Sequence, residues 1–108
     1  MQEKWDNLET QELFKAVLAL KDIKEAKRFF RDLLTEAELK EFSGRWKVAR
    51  MLNQKVPYSA ISDKTGLSSK TIARISKWLN NGKGGYRLML NRLALHHRNS
   101  ISFEKGLR

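Results

Sequence analysis

The sequence predicts an all-α fold of six short helices. Three observations predict it. The 108 residues include one proline, Pro57, and few β-branched runs. Apolar residues recur at spacings of three and four, the period of one buried helical face. Pairs of residues that cap helix starts stand just ahead of those stripes.

Trp5, Leu8, Leu13, Ala16, Val17 and Leu20 make the first stripe, through roughly residues 4 to 20, with Glu9, Glu12 and Lys15 on the other side. Asp22 followed by Glu25 reads as an N-cap with a residue that can answer it. Behind it, Ala26, Phe29, Phe30, Leu33 and Leu34 form the apolar face of a second helix. Thr35 and Glu38, in the order T-x-x-E, form a capping box and open the third helix. Its stripe of Leu39, Phe42, Trp46, Ala49 and Leu52 runs to about Asn53. Gln54 to Pro57 is a loop, because the residue before a proline resists the α region.

The stretch from Tyr58 to Leu79 divides at Gly66. Ala60 and Ile61 are the apolar points of its first half, and Ile72, Ile75 and Leu79 those of its second. Ser68 stands where a side-chain oxygen can accept from the first amides of a new helix. Gly66 stands where the preceding helix must end and the chain must turn, usually at positive φ. Two short helices joined by a tight glycine turn are the outline of a helix-turn-helix, here residues 57–79. Asn80 to Gly85 is a breaker cluster and reads as a flexible connection. A phosphate-binding reading of its glycines fails, since no strand precedes and no G-K-[ST] follows. Tyr86, Met89, Leu90 and Leu93 form a last short helix. One helical domain thus spans residues 1–95, and residues 96–108 form a basic tail expected to be disordered. His96 and His97 are adjacent, so on a helix they diverge by about 100° and could not share a metal well.

Turning Ile72 and Ile75 inward leaves Ser69, Lys70, Ala73, Arg74 and Lys77 on the outer face, with Thr71 beside them. Long cations can donate to guanine edges or phosphates, hydroxyls can contact either, and a methyl can touch thymine. Ser59, Ser62, Lys64, Ser68, Ser69, Lys70, Thr71, Ala73, Arg74 and Lys77 are therefore the candidate DNA-binding residues. Lys64, Lys70, Arg74 and Lys77 would hold phosphates, and Ser69, Lys70 and Ala73 would read bases.

Charge supports this division of labour. The chain has a formal net charge of +10, unevenly placed. Residues 1–42 hold 8 Lys/Arg and 10 Asp/Glu, a net of −2, and residues 43–108 hold 14 and 2, a net of +12. The second part carries the electrostatic footprint of a polyanion partner. Double-stranded DNA fits better than a membrane surface, because no long basic helix there has a broad apolar face without another use. No apolar run is long enough to span a bilayer, and the acidic N-terminus is not a signal peptide, so cytoplasmic, nucleoid-associated residence is expected. With no cysteine and no histidine near a carboxylate at ligand spacing, neither a metal site nor an enzyme is expected.

Trp5, Phe14, Phe29, Phe30, Phe42, Trp46 and Trp78 are too many large rings for so small a chain to cover alone. One short reading helix also contacts only a few base pairs. Two related by a twofold axis can engage half-sites about 34 Å apart. A homodimer presenting two Ser69–Lys77 helices is therefore expected.

The segments LLTEAE, SGRWKVARML and TGLSSKTIARIS resemble the tryptophan repressor family, especially its Trp-repressor-like members from Gram-positive bacteria. Leu79-Asn80-Asn81-Gly82-Lys83-Gly84-Gly85-Tyr86 is similar to the LN-x-G-x-GGY signature of those members. The resemblance covers about Leu33 to Leu90. It implies an intertwined, all-helical homodimer that binds a palindromic operator and represses transcription. It also implies an effector pocket with Thr35, Arg45, Thr71 and Arg74 at matching positions. Two residues depart from the family. Ile75 replaces a glycine that leaves room for the ligand ring, and Trp78 replaces a serine that contacts the ligand amino group. A branched side chain fills part of that room, and the lost hydroxyl leaves an ammonium unpaired. The expected effector is thus a small-molecule co-repressor other than tryptophan, or none. A non-specific or architectural nucleic-acid-binding protein is the alternative expectation.

Overall fold

The computed structural model describes the backbone of residues 3–106 and the side chains of residues 3–95. Within the described residues there are six helices and no strand: α1 (Leu8–Ala19), α2 (Ile23–Leu33), α3 (Glu36–Asn53), α4 (Tyr58–Thr65), α5 (Ser69–Asn81) and α6 (Gly85–Gly106). The chain divides into two compact units, Met1–Lys40 and Glu41–Arg108, and the boundary falls inside α3.

Local side-chain chemistry starts the helices of the first unit. Asn7 caps α1: its Oδ1 accepts from the Thr10 amide at 3.1 Å, and Thr10 Oγ1 accepts from the Asn7 amide at 3.0 Å. This reciprocal pair places the start of α1 at Leu8, so Trp5 stands in the preceding turn and not in the stripe expected of it. Thr10 Oγ1 also donates to the Trp5 carbonyl at 2.7 Å, which fixes that turn. Asp22 caps α2 by accepting from the Glu25 amide at 2.8 Å. The Glu25 carboxylate reaches back one residue further than a capping box requires, to the Lys21 amide at 3.0 Å. The Thr35–Glu38 box forms as expected, with bonds of 3.0 and 3.1 Å. The carboxyl accepts from the Thr35 amide, and this amide first and the Thr35 hydroxyl second hold the exposed Glu38 carboxyl below its ordinary pKa. Neither α1 nor α2 has a buried residue.

The second unit has a core. Val48 and Ala49 of α3, Ile61 of α4, and Ile72 and Ile75 of α5 are each fully buried and form one cluster. Trp46, Met51, Leu52, Val56, Leu67 and Tyr86 pack around it. The α3 stripe is corrected here: Val48 is inside, whereas Phe42 is 45% exposed. Helix α3 ends in a Schellman turn, with the Val56 amide on the Met51 carbonyl and the Lys55 amide on that of Leu52. Lys55 holds the left-handed position at φ 65°, where glycine is usual.

Helix α5 packs on both α4 and α6. The connection Asn80–Gly85 is a tight turn and not a loose segment. Helix α5 continues through Asn81, the Gly82 amide donates to the Trp78 carbonyl at 2.9 Å, and Gly84 turns the chain at φ 84°. Gly82 has no substitute, because a Cβ there would collide with the Trp78 carbonyl oxygen. Helix α6 is not short. Its 22 residues continue helical backbone past residue 96, where a disordered tail was the expectation. No proline or glycine lies between Gly85 and Gly106, and the segment is rich in Leu and Arg, which favour the helix. The side chains of residues 96–108, His96 and His97 among them, lie outside the described residues.

Candidate nucleic-acid interface

Helices α4 and α5 are joined by Gly66, Leu67 and Ser68. Gly66 caps α4 in the left-handed region at φ 75°. Three side-chain bonds hold the turn. Thr65 Oγ1 donates to the Ile61 carbonyl at 2.7 Å and accepts from the Leu67 amide at 3.2 Å. Ser62 Oγ donates to the Leu67 carbonyl at 2.8 Å. Ser62, a candidate DNA-binding residue, is half-buried, and its hydroxyl is engaged in the turn. Ser68 then caps α5 by accepting from the Thr71 amide at 3.2 Å, and its hydroxyl shares a bond with that of Thr71 at 3.1 Å.

This turn sets which face of α5 is free. Ile72, Ile75 and Leu79 are buried. At 100° per residue, Ser69, Lys70, Ala73, Arg74 and Lys77 fall within about 140° of arc on the opposite side. All five are exposed, as are Ser59, Lys64 and Ser68, while Thr71 is half-buried at the edge. No acid stands on α5, and Asp63 is the sole acid between residues 43 and 95. The arrangement offers a cationic, hydroxyl-bearing helix surface whose first turn is pinned by its cap.

Of the candidate effector residues, Thr35 belongs to the first unit and Arg45, Thr71 and Arg74 to the second. Thr35 is occupied as the α3 cap in the first unit. In the second unit, Arg45 is held by Glu41 at 2.9 Å, and its guanidinium carbon lies 5.5 Å from the Phe42 ring centre and 5.7 Å from that of Trp78. Trp46 stacks on Tyr86 with 6.3 Å between centroids. Burial raises the Tyr86 phenol pKa, and the Arg45 charge opposes that rise. A half-open cavity of about 730 Å³ is lined by Trp46, Trp78, Tyr86, Met89 and the turn residues Asn81–Lys83 and Gly85. Sequence reasoning missed the Glu41–Phe42–Arg45–Trp78 cluster. Its signal was present in the i, i+3 and i, i+4 spacing of Phe42 and Glu41 to Arg45.

A profile of the Trp repressor protein family matches residues 8–94, most of the chain. The chain belongs to the Trp repressor family. This is a family of DNA-binding regulators and not of enzymes. YerC of Bacillus subtilis (strain 168), a protein described as uncharacterized, is 41% identical over 85 residues, covering 79% of this chain and 82% of its own length. A crystal structure described as a TrpR-like protein from Eubacterium eligens superposes with a TM-score of 0.82 at 40% identity, covering 86% of this chain and 96% of that one. A second solved structure, from Staphylococcus aureus, gives 0.81 at 37% identity, with 87% and 95% covered. The all-α Trp-repressor-like fold expected from the sequence is the fold observed. Among the described residues no helix is long and apolar enough to cross a membrane, and no group of three or more His, Cys, Asp or Glu could hold a metal.

Proposed function

We propose that this Trp repressor family member is a sequence-specific transcriptional repressor that binds a palindromic operator as an intertwined homodimer. One observation carries the reading. The exposed face of Ser69, Lys70, Ala73, Arg74 and Lys77 stands opposite the fully buried Ile72 and Ile75, within a half-chain of net charge +12. Lys64, Lys70, Arg74 and Lys77 hold phosphates, and Ser69, Lys70 and Ala73 meet base edges. The protein works in the cytoplasm, on the nucleoid.

The first unit supports the dimer. Trp5, Leu8, Phe14, Leu18, Ile23 and Leu33 are all exposed in the single chain, large apolar side chains that a partner surface would cover. A second copy would cover these faces and set two reading helices about one helical turn of DNA apart. The burial of Ile75 in the core, at the position where the family keeps a glycine, supports a reading in which tryptophan is not the co-repressor.

Fluorescence anisotropy against genomic fragments at fixed salt tests the reading. A few fragments should bind about 10³-fold or more tighter than bulk DNA, and added tryptophan should leave those affinities unchanged. Equal affinity for all fragments would instead support the architectural alternative. Sedimentation should give a dimer.

A further inference from the structure

We propose that Arg45 and Trp78 are positioning residues that set the roll of α5 about its own axis. The inference rests on α5 being the reading helix. The aliphatic face of Ile72, Ile75 and Leu79 decides which side of α5 is buried. Close packing of these side chains holds the helix in place. A contact at the rim adds to that hold with a longer lever arm, and Trp78 is at that rim. On a 100° wheel it falls between the buried face and the exposed one, about 40° from Arg74.

Trp78 is 40% exposed and borders the cavity lined by Trp46 and Tyr86, but that contact alone does not fix its ring. What it meets is a guanidinium already fixed by its own helix. Glu41 and Arg45 form an i, i+4 ion pair at 2.9 Å, in the order that stabilises a helix best. Phe42, three residues before Arg45, carries its ring 5.5 Å below the same charge. The guanidinium is planar and presents a face to an aromatic ring, and the Trp78 ring sits 5.7 Å from it, within cation–π range. Helix α3 thus holds a preset charged plate, and α5 docks one ring on it.

The lever arm makes the roll matter. Side chains reach about 6 Å from a helix axis, so a roll of 10–20° moves their tips by about 1–2 Å. That displacement is enough to lengthen a base contact beyond hydrogen-bond range. The clamp is therefore a specificity device, made from this chain's own ring and charge and standing away from the DNA.

The test uses the full chain and the operator fragment found by the binding screen. Trp78→Ala should weaken operator binding about tenfold and binding to bulk DNA less than twofold. Trp78→Phe should restore most of the loss. Arg45→Ala should behave like Trp78→Ala, and the double variant should be no weaker than either single one, as expected of a coupled pair. The slope of log K against log salt should not change, because no phosphate contact is removed. Equal operator affinity in Trp78→Ala and the natural protein would overturn the proposal. So would additive losses, or a slope lowered by about 1 in Arg45→Ala, which would make Arg45 a phosphate contact. If Trp78→Ala does not fold, Arg45→Ala and Trp78→Phe carry the test. If the natural protein selects no fragment, the function reading fails first, and the two failures are told apart.

Discussion

The two units of this chain solve different physical problems. Residues 41–108 enclose a small aliphatic core and leave a cationic helix outside it. Residues 1–40 hold well-capped helices, α1 and α2, with not one buried residue. Capping satisfies backbone amides and decides where a helix starts, but it removes almost no apolar area from water. Fully burying one large aliphatic side chain contributes about 1.5–3 kcal/mol, whereas a cap contributes about 1 kcal/mol. The contrast teaches that sharply written helices are not yet a stable domain. The first unit has its secondary structure specified and its tertiary burial still owed by another surface.

Substitutions in each unit can break or sharpen this contrast. The largest effect is expected in the core of the second unit. Ile72→Ala should cost about 3 kcal/mol by denaturant titration, through lost transfer energy and an unfilled cavity. The matched substitution in the first unit is Leu18→Ala. Leu18 is 84% exposed, so in an isolated chain it should cost nearly nothing. On a dimer interface it should cost up to about 2 kcal/mol and move the dissociation midpoint by sedimentation. No change in either measurement would mean that this face of α1 is not an interface.

Gly82→Ala comes next. The collision with the Trp78 carbonyl should force the α5–α6 turn open and cost about 2–3 kcal/mol in a thermal melt. The caps of the first unit should matter less. Thr35→Ala should cost about 1 kcal/mol. Glu38 gives the same box a pH dependence whose sign follows from its lowered folded pKa. The stabilisation is present above the ordinary glutamate value of about 4.3 and is lost as pH falls through the lower folded one. Thr35→Ala should keep most of this dependence, because the backbone amide is its larger cause, and Glu38→Gln should abolish it. The smallest effect should be a gain. Lys55→Gly relieves a left-handed lysine and should stabilise by about 0.5 kcal/mol, after the greater freedom of glycine in the unfolded chain is subtracted.

Legibility followed range along the chain. Asp22, Thr35, Gly66 and Ser68 were readable because a cap or turn is decided within four residues. The buried face of α5 was readable because three spaced aliphatics leave only one inward side. Asn7–Thr10 was missed because its pairing does not follow the T-x-x-E order. The Lys55 turn was missed because the residue at the left-handed position is not glycine. Burial on α3 was misassigned between Phe42 and Val48, since both fit a helical stripe and only packing chooses the phase. Trp78 could not be placed at all from spacing. Its surroundings depend on an arginine 33 positions earlier in the chain.

The central claim is that the exposed face of α5, not positive charge in general, engages DNA. The direct test compares two exposed lysines, Lys70 on α5 and Lys15 on α1. Operator affinity is measured across a salt series for Lys70→Ala and Lys15→Ala. Lys70→Ala should weaken binding and lower the slope of log K against log salt by about 1, while Lys15→Ala leaves both unchanged. Equal effects from the two substitutions would contradict the account.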